Sequence, residues 1–128
     1  LEEINDDIAA SGGKATIMPC DLFNLDEVDK IGPAIANRFG GLDIIVGNAG
    51  MTGTLTPTTH MKADEWEQIF ALNLHANFRL LRTADPLLRA SDAGRAIFTT
   101  SGLAQKAMAY WGAYAASKAA LDHMVRIY

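Results

Sequence analysis

Tyr114 and Lys118 stand four residues apart in the run Trp111-Gly112-Ala113-Tyr114-Ala115-Ala116-Ser117-Lys118, and Ser101 lies upstream at the end of an apolar stretch. On a helix, that spacing puts a phenol and an ammonium on one face, a turn apart. A cation beside a phenol favours phenolate, which equips the tyrosine to give and take a proton near neutral pH. A serine hydroxyl held nearby can steady the oxygen that gains or loses that proton. Interconversion of an alcohol and a carbonyl uses this equipment. On an arbitrary helix, the same pair is only a surface contact worth about 0.2–0.5 kcal/mol. The rest of the chain has to decide.

The elements that must position these groups are legible in outline. Leu1, Ile4 and Ile8 have helical spacing, and Ser11-Gly12-Gly13 supplies a stop. Ala15 to Met18 reads as a short buried strand. Asn24 and Glu27 have the spacing of a capping box, which predicts a helix from Leu25 toward Arg38 that stops at Gly40-Gly41. Gly32-Pro33 should kink or split that helix, because proline removes a hydrogen bond. Asp43 to Val46 reads as a second buried strand, leading into Gly47-Asn48-Ala49-Gly50 and a loop rich in threonine and glycine.

A long helix is predicted from Ala63, with Asp64 and Glu65 favourably placed in its first turn. Trp66, Ile69, Phe70, Leu74, Phe78 and Leu81 recur along it at helical spacing, and it should reach about Leu88 despite Pro86; Trp66 and Phe70 read as core. Ala96 to Thr100 is the third strand, ending at Ser101, and a last helix starts near Gly112. Helices alternating with short apolar strands indicate an α/β fold with a parallel sheet. The pattern shows no repeat or linker, so residues 1–128 read as a single domain. Both ends fall in helical pattern without caps, as expected of part of a longer domain.

Composition narrows the function. The chain carries a net charge of -4 with no basic block, which argues against nucleic acid. Its apolar runs are far too short to span a membrane. The acidic first residues do not resemble a secretory signal, and one cysteine suits a reducing cytoplasm. Cys20 reads as a small buried filler, and His60, His75 and His123 lack metal-ligand spacing. In open parallel sheets, ligands bind beyond the carboxyl ends of the strands. Asp21, Gly47 to Gly50 and Ser101-Gly102 collect there.

Leu42-Asp43-Ile44-Ile45-Val46-Gly47-Asn48-Ala49-Gly50, then Asn73, Ser101 and Tyr114-Ala115-Ala116-Ser117-Lys118, resemble the short-chain dehydrogenase/reductase family in order and separation. The resemblance covers the chain as the middle of a family member and implies an incomplete, Rossmann-like doubly wound parallel sheet. It implies an NAD- or NADP-dependent oxidoreductase acting on a small alcohol or carbonyl, with Asn73, Ser101, Tyr114 and Lys118 as its catalytic group. Tyr114 is then the acid/base, and Lys118 favours its phenolate while holding the nicotinamide ribose. Ser101 orients the substrate carbonyl, and Asn73 sits in a kinked part of its helix and holds a relay water. Asn48, Ala49 and Gly50 line the adenosine side of the cofactor, and Asp21 meets the adenine amino group. The segment with Met108, Tyr110 and Trp111 borders the substrate, and the two long helices assemble dimers or tetramers.

The chain departs from the family pattern twice. Gly47 stands where the family has an asparagine that ties neighbouring strands, which puts a sheet contact in question. No G-x-x-x-G-x-G loop occurs, so the pyrophosphate lacks its helix N-terminus. These 128 residues alone are therefore expected to be silent, with the first strand unpaired and one edge of the second left open. A nucleotide-sensing protein on the same fold is the rival reading, and such proteins commonly lose the tyrosine or the lysine. An epimerase or dehydratase of the extended relatives is disfavoured by the short strand-to-strand spacing.

Overall fold

The computed structural model describes residues 2–128, leaving Leu1 outside the described residues. Helix α1 (Glu2–Ala10) ends where Gly12 turns to φ +82° and the Gly13 N–H reaches the Ile8 carbonyl. That is the left-handed stop that glycine permits. Nothing in α1 is buried, and Ile4 stays 59% exposed.

The first predicted strand does not form. Residues 13–20 adopt no regular structure and pair with nothing, and Ile17 and Met18 are exposed. A β-ladder is a non-local bond, and no neighbouring strand is present to make it. The next helix is split as expected, although the break falls at Asp29-Lys30, ahead of Gly32-Pro33. It separates α2 (Leu25–Val28) from α3 (Ile31–Phe39), placing Pro33 in the first turn of α3, where its missing N–H costs nothing. The capping box is also different: the Asn24 amide donates to the Glu27 carboxylate (3.0 Å) and caps no backbone group.

Strand β1 (Ile44–Gly47) pairs in parallel with β2 (Arg95–Phe98), with Ile45 opposite Ala96 and Gly47 opposite Phe98. The third predicted strand therefore stops two residues short, at Phe98. The ladder runs through Gly47, whose carbonyl accepts the Thr99 N–H at 2.9 Å, so the missing asparagine leaves this sheet contact whole. Ile45, Ala84 and Leu88 form the core of the sheet–helix contact. The opposite face is bare: Ile44, Val46 and Ile97 each keep more than half their surface in water. The sequence pattern of a strand buried on both sides is met on one side only.

The long helix runs as α4 (Ala63–Phe70), a π-helical segment (Ala71–Ala76) and α5 (Asn77–Ala90). Trp66 and Phe70 stack at 5.1 Å but are half-buried, at the margin of the core. Helix α6 (Gly112–Ile127) packs on α4 and on the π segment. Ile69, Ala113 and Leu121 are buried there, together with three polar side chains: Asn73, Ser117 and Lys118. An interior with so many polar groups has to satisfy them internally.

Candidate active site

Helix α6 can start where it does because Gly112 has no side chain: an added Cβ would lie 2.3 Å from Thr58 Oγ1. Two residues on, the half-buried Tyr114 ring meets the edge of Trp111 at 5.6 Å. One turn further, Lys118 lies beneath the same ring, its Nζ 6.0 Å from the ring centre. The predicted phenol–ammonium pair is thus in place on one helix face. Lys118 is 3% exposed and donates to the Thr99 carbonyl at 2.7 Å. Burial pushes its ammonium below the ordinary 10.5, since a buried cation loses hydration.

Asn73 lies in the π segment, fully buried, as the expectation of a distorted helix at that position requires. A π turn admits one extra residue and is a common way to re-aim a side chain at a functional site. Asn73 Oδ1 accepts the Met51 N–H (2.8 Å), and its Nδ2 donates to the Met51 carbonyl (2.9 Å) and to Ser117 Oγ (2.9 Å). Ser117 Oγ in turn donates to the Tyr114 carbonyl at 2.8 Å. One amide therefore ties the loop after β1 to the first turn of α6. Its side chain holds these partners directly.

Gly50 completes the group. A Cβ there would lie 3.1 Å from Asn73 Oδ1 and 3.2 Å from Lys118 Nζ, so the lysine reaches the cleft past a bare backbone. Asn48, Gly50, Met51, Thr99, Tyr114 and Lys118 border a cleft of about 520 Å³. Asn48 also holds the two strand ends together, accepting from Thr99 Oγ1 at 2.9 Å. On its other side, Asn48 and Ala49 share a smaller cleft of about 180 Å³ with Leu22. Asp21, the neighbour of Leu22, is exposed, turns its carboxylate to the Phe23 N–H (2.9 Å) in a local turn, and is not among the residues lining either cleft.

Ser101 is half-buried just before the short 3₁₀ turn Gly102–Ala104, which packs against α6. Its Oγ accepts the Leu103 N–H at 3.2 Å, which leaves the hydroxyl proton free to donate. In the loop that follows, Met108 and Tyr110 are more than half exposed. Tyr110 has φ +73°, a conformation that costs a bulky residue energy, and its carbonyl accepts the Thr56 N–H. Cys20 is half-buried, and burial pushes its thiol up. Among the described residues, no group of three or more His, Cys, Asp or Glu side chains is arranged to hold a metal. No helix among them is long and apolar enough to cross a membrane.

Sequence reasoning missed four contributors: Ser117, Met51, Thr99 and Leu22. Ser117 was visible inside the Tyr-to-Lys spacing. Met51 acts through its main chain, and Thr99 meets Lys118 through its carbonyl, which residue type does not announce.

The family model for short chain dehydrogenases matches residues 1–128. The chain belongs to the short-chain dehydrogenase family. It is 34% identical over 102 residues to the uncharacterized oxidoreductase YciK of Escherichia coli, covering 80% of this chain and 40% of that protein. A metagenomic short-chain oxidoreductase solved in complex with NADP superposes with a TM-score of 0.93 at 31% identity, covering 99% of this chain and 57% of its own. An alcohol dehydrogenase from the archaeon Thermococcus sibiricus, complexed with 5-hydroxy-NADP, gives 0.91 at 25% identity, covering 98% and 53%. This family chain therefore spans about half the length of the relatives it matches, and its fold is the corresponding part of their Rossmann-type sheet.

Proposed function

We propose that this chain supplies the proton-transfer side and the adenosine wall of an NAD(P)-dependent oxidoreductase that interconverts a small alcohol and its carbonyl. The observation that carries the reading is the convergence of Lys118 and Asn73 on the bare backbone of Gly50, with Tyr114 over Lys118 on the same cleft. A nucleotide-sensing role would not need a buried ammonium beside a phenol at the mouth of a cleft.

The residues present fit a nicotinamide dinucleotide. Asn48, Ala49 and Gly50 offer a wall with little bulk, and Leu22, next in the chain to Asp21, lines the adjoining cleft. The relatives solved with NADP or 5-hydroxy-NADP support this assignment. Bound there, the cofactor supplies hydride chemistry; the protein's task is position and proton transfer. In reduction, the Tyr114 hydroxyl gives its proton to the carbonyl oxygen, and in oxidation it takes the proton from the alcohol. Lys118 spends one donor on Thr99 and keeps two, for a ribose hydroxyl and for the phenol side of the site. Ser101 donates its free hydroxyl proton to the substrate oxygen and so fixes the carbonyl's orientation. Asn73 holds Met51 and Ser117 in register, so the cleft wall and Tyr114 move as one body.

The same reading treats residues 1–128 as one partial dinucleotide-binding domain of a cytoplasmic protein, paired through α4–α5 and α6 in a dimer or tetramer. It also holds the 128 residues silent on their own, because no glycine-rich loop receives the pyrophosphate. The test compares the purified 128-residue chain with the longest reading frame that encodes it, assayed with NADH and NADPH against a panel of small ketones. Turnover is expected from the longer product only. Turnover by the 128 residues refutes their silence, and a longer product inert toward every carbonyl and alcohol refutes the oxidoreductase reading.

A further inference from the structure

Asn77 is a poor helix former placed at the start of α5, and it is 3% exposed. A buried amide is costly unless its bonds are made, so its partners show what it is for. Its Nδ2 donates to the Asn73 carbonyl at 2.9 Å and approaches the Leu72 carbonyl at 3.4 Å. Both acceptors belong to the π segment, where the regular helical ladder is interrupted. Its Oδ1 lies against Gly47: a Cβ at that glycine would fall 2.5 Å from it. The amide thus fits between the end of β1 and the distorted turn, and glycine at position 47 leaves room for it.

We propose that Asn77 is a positioning residue that locks the π turn, so that Asn73 holds Met51 on one side and Ser117 with Tyr114 on the other. The proposal rests on the oxidoreductase reading for its effect on turnover. The hydrogen-bond chain is continuous from Asn77 Nδ2 to the Asn73 carbonyl, and from the Asn73 side chain through Ser117 Oγ to the Tyr114 carbonyl. Freed of Asn77, the Asn73 turn can relax toward α-helical geometry and carry its side chain off Met51 and Ser117. Misplacement of reacting groups by about 1 Å is worth up to about 100-fold in rate.

The test uses the longest reading frame containing these residues and three substitutions: Asn77→Ser, Asn77→Ala and Asn77→Asp. A serine hydroxyl can bond the carbonyl four residues back, which here is Asn73. Asp keeps the shape but sets oxygen against two carbonyls. The donor role gives kcat in the order parent, Ser, Ala, Asp, with Ala lower than parent on the order of 10- to 100-fold and KM for cofactor little changed. Parent-like kcat in Asn77→Asp or Asn77→Ala overturns the proposal, since mere space-filling favours Asp. Should Asn77→Ala fail to fold, Ser against Asp makes the same comparison. If the parent itself is inert, the oxidoreductase reading fails, and exchange of the Met51 amide hydrogen decides about Asn77. Faster exchange in Asn77→Ala than in Asn77→Ser supports the lock, and equal exchange removes it.

Discussion

Restoring the family's asparagine at position 47 should damage this protein. An added Cβ at Gly47 would lie 2.3 Å from Phe98 Cδ1, 2.5 Å from Phe98 Cε1 and 2.5 Å from Asn77 Oδ1, where ordinary contact is 3.4–4 Å. The ring and the amide must each retreat by about 1 Å. The ladder holds the Phe98 main chain and leaves its half-buried ring to turn aside, while Asn77 is buried and held by its bond to the Asn73 carbonyl. Displacing the ring is an overpacking cost of about 1–3 kcal/mol. Pulling a buried amide off its acceptor adds about 1–3 kcal/mol. Gly47→Asn should therefore destabilise by about 2–6 kcal/mol, lowering the melting temperature by roughly 7–22 °C for a domain of this size. Thermal melts followed by circular dichroism measure it, with urea midpoints at unchanged slope confirming that the native state is what suffers. Phe98→Ala in the same chain should return part of the loss, because the two sites share one volume. A Gly47→Asn variant as stable as the parent refutes the packing argument outright, whatever the catalytic role of the site.

Other consequences follow from the same geometry. Tyr114→Phe keeps the ring against Trp111 and removes the proton; turnover should fall by about 10²- to 10⁴-fold while cofactor titration is unchanged. Burial of Lys118 holds its folded-state pKa below the 10.5 of the unfolded chain, so the unfolded chain binds the extra proton. Stability should rise as pH climbs from the folded value toward 10.5, and Lys118→Met should abolish that rise in urea midpoints. At Asp29, desolvation pushes the carboxyl up, but hydrogen bonds and charge from Arg79 and Arg82 outweigh it and hold the group below 3.8. Its contribution is present above 3.8 and lost as pH falls through the folded value; Asp29→Asn should flatten that acid limb of the melting curve.

What could be read in advance was local. Gly12 and Gly40, both at positive φ, end their helices where glycine was taken as a stop. Tyr114 and Lys118 meet because a helix brings every fourth residue to one face. The strand over Ala15–Met18 fails for the opposite reason: strands form by pairing, and the partner is not written in the segment itself. The π segment escaped the apolar pattern because its most deeply buried position is Asn73, a polar residue that hydropathy assigns to the surface. Ser117 and Asn77 escaped likewise. Buried polar groups are chosen for partners distant in sequence, and only the fold shows which partners those are.

These two kinds of residue divide the molecule. The polar network that holds Tyr114 and Lys118 is anchored on the π turn, α5 and α6, with only the loop ends at Met51 and Thr99 drawn from the sheet side. The sheet, by contrast, leaves Ile44, Val46 and Ile97 in water on its far face. A lesion at Asn73 reaches Met51, Ser117 and Tyr114 together. The site is built on the helices, and the strands contribute the two loop ends that complete it.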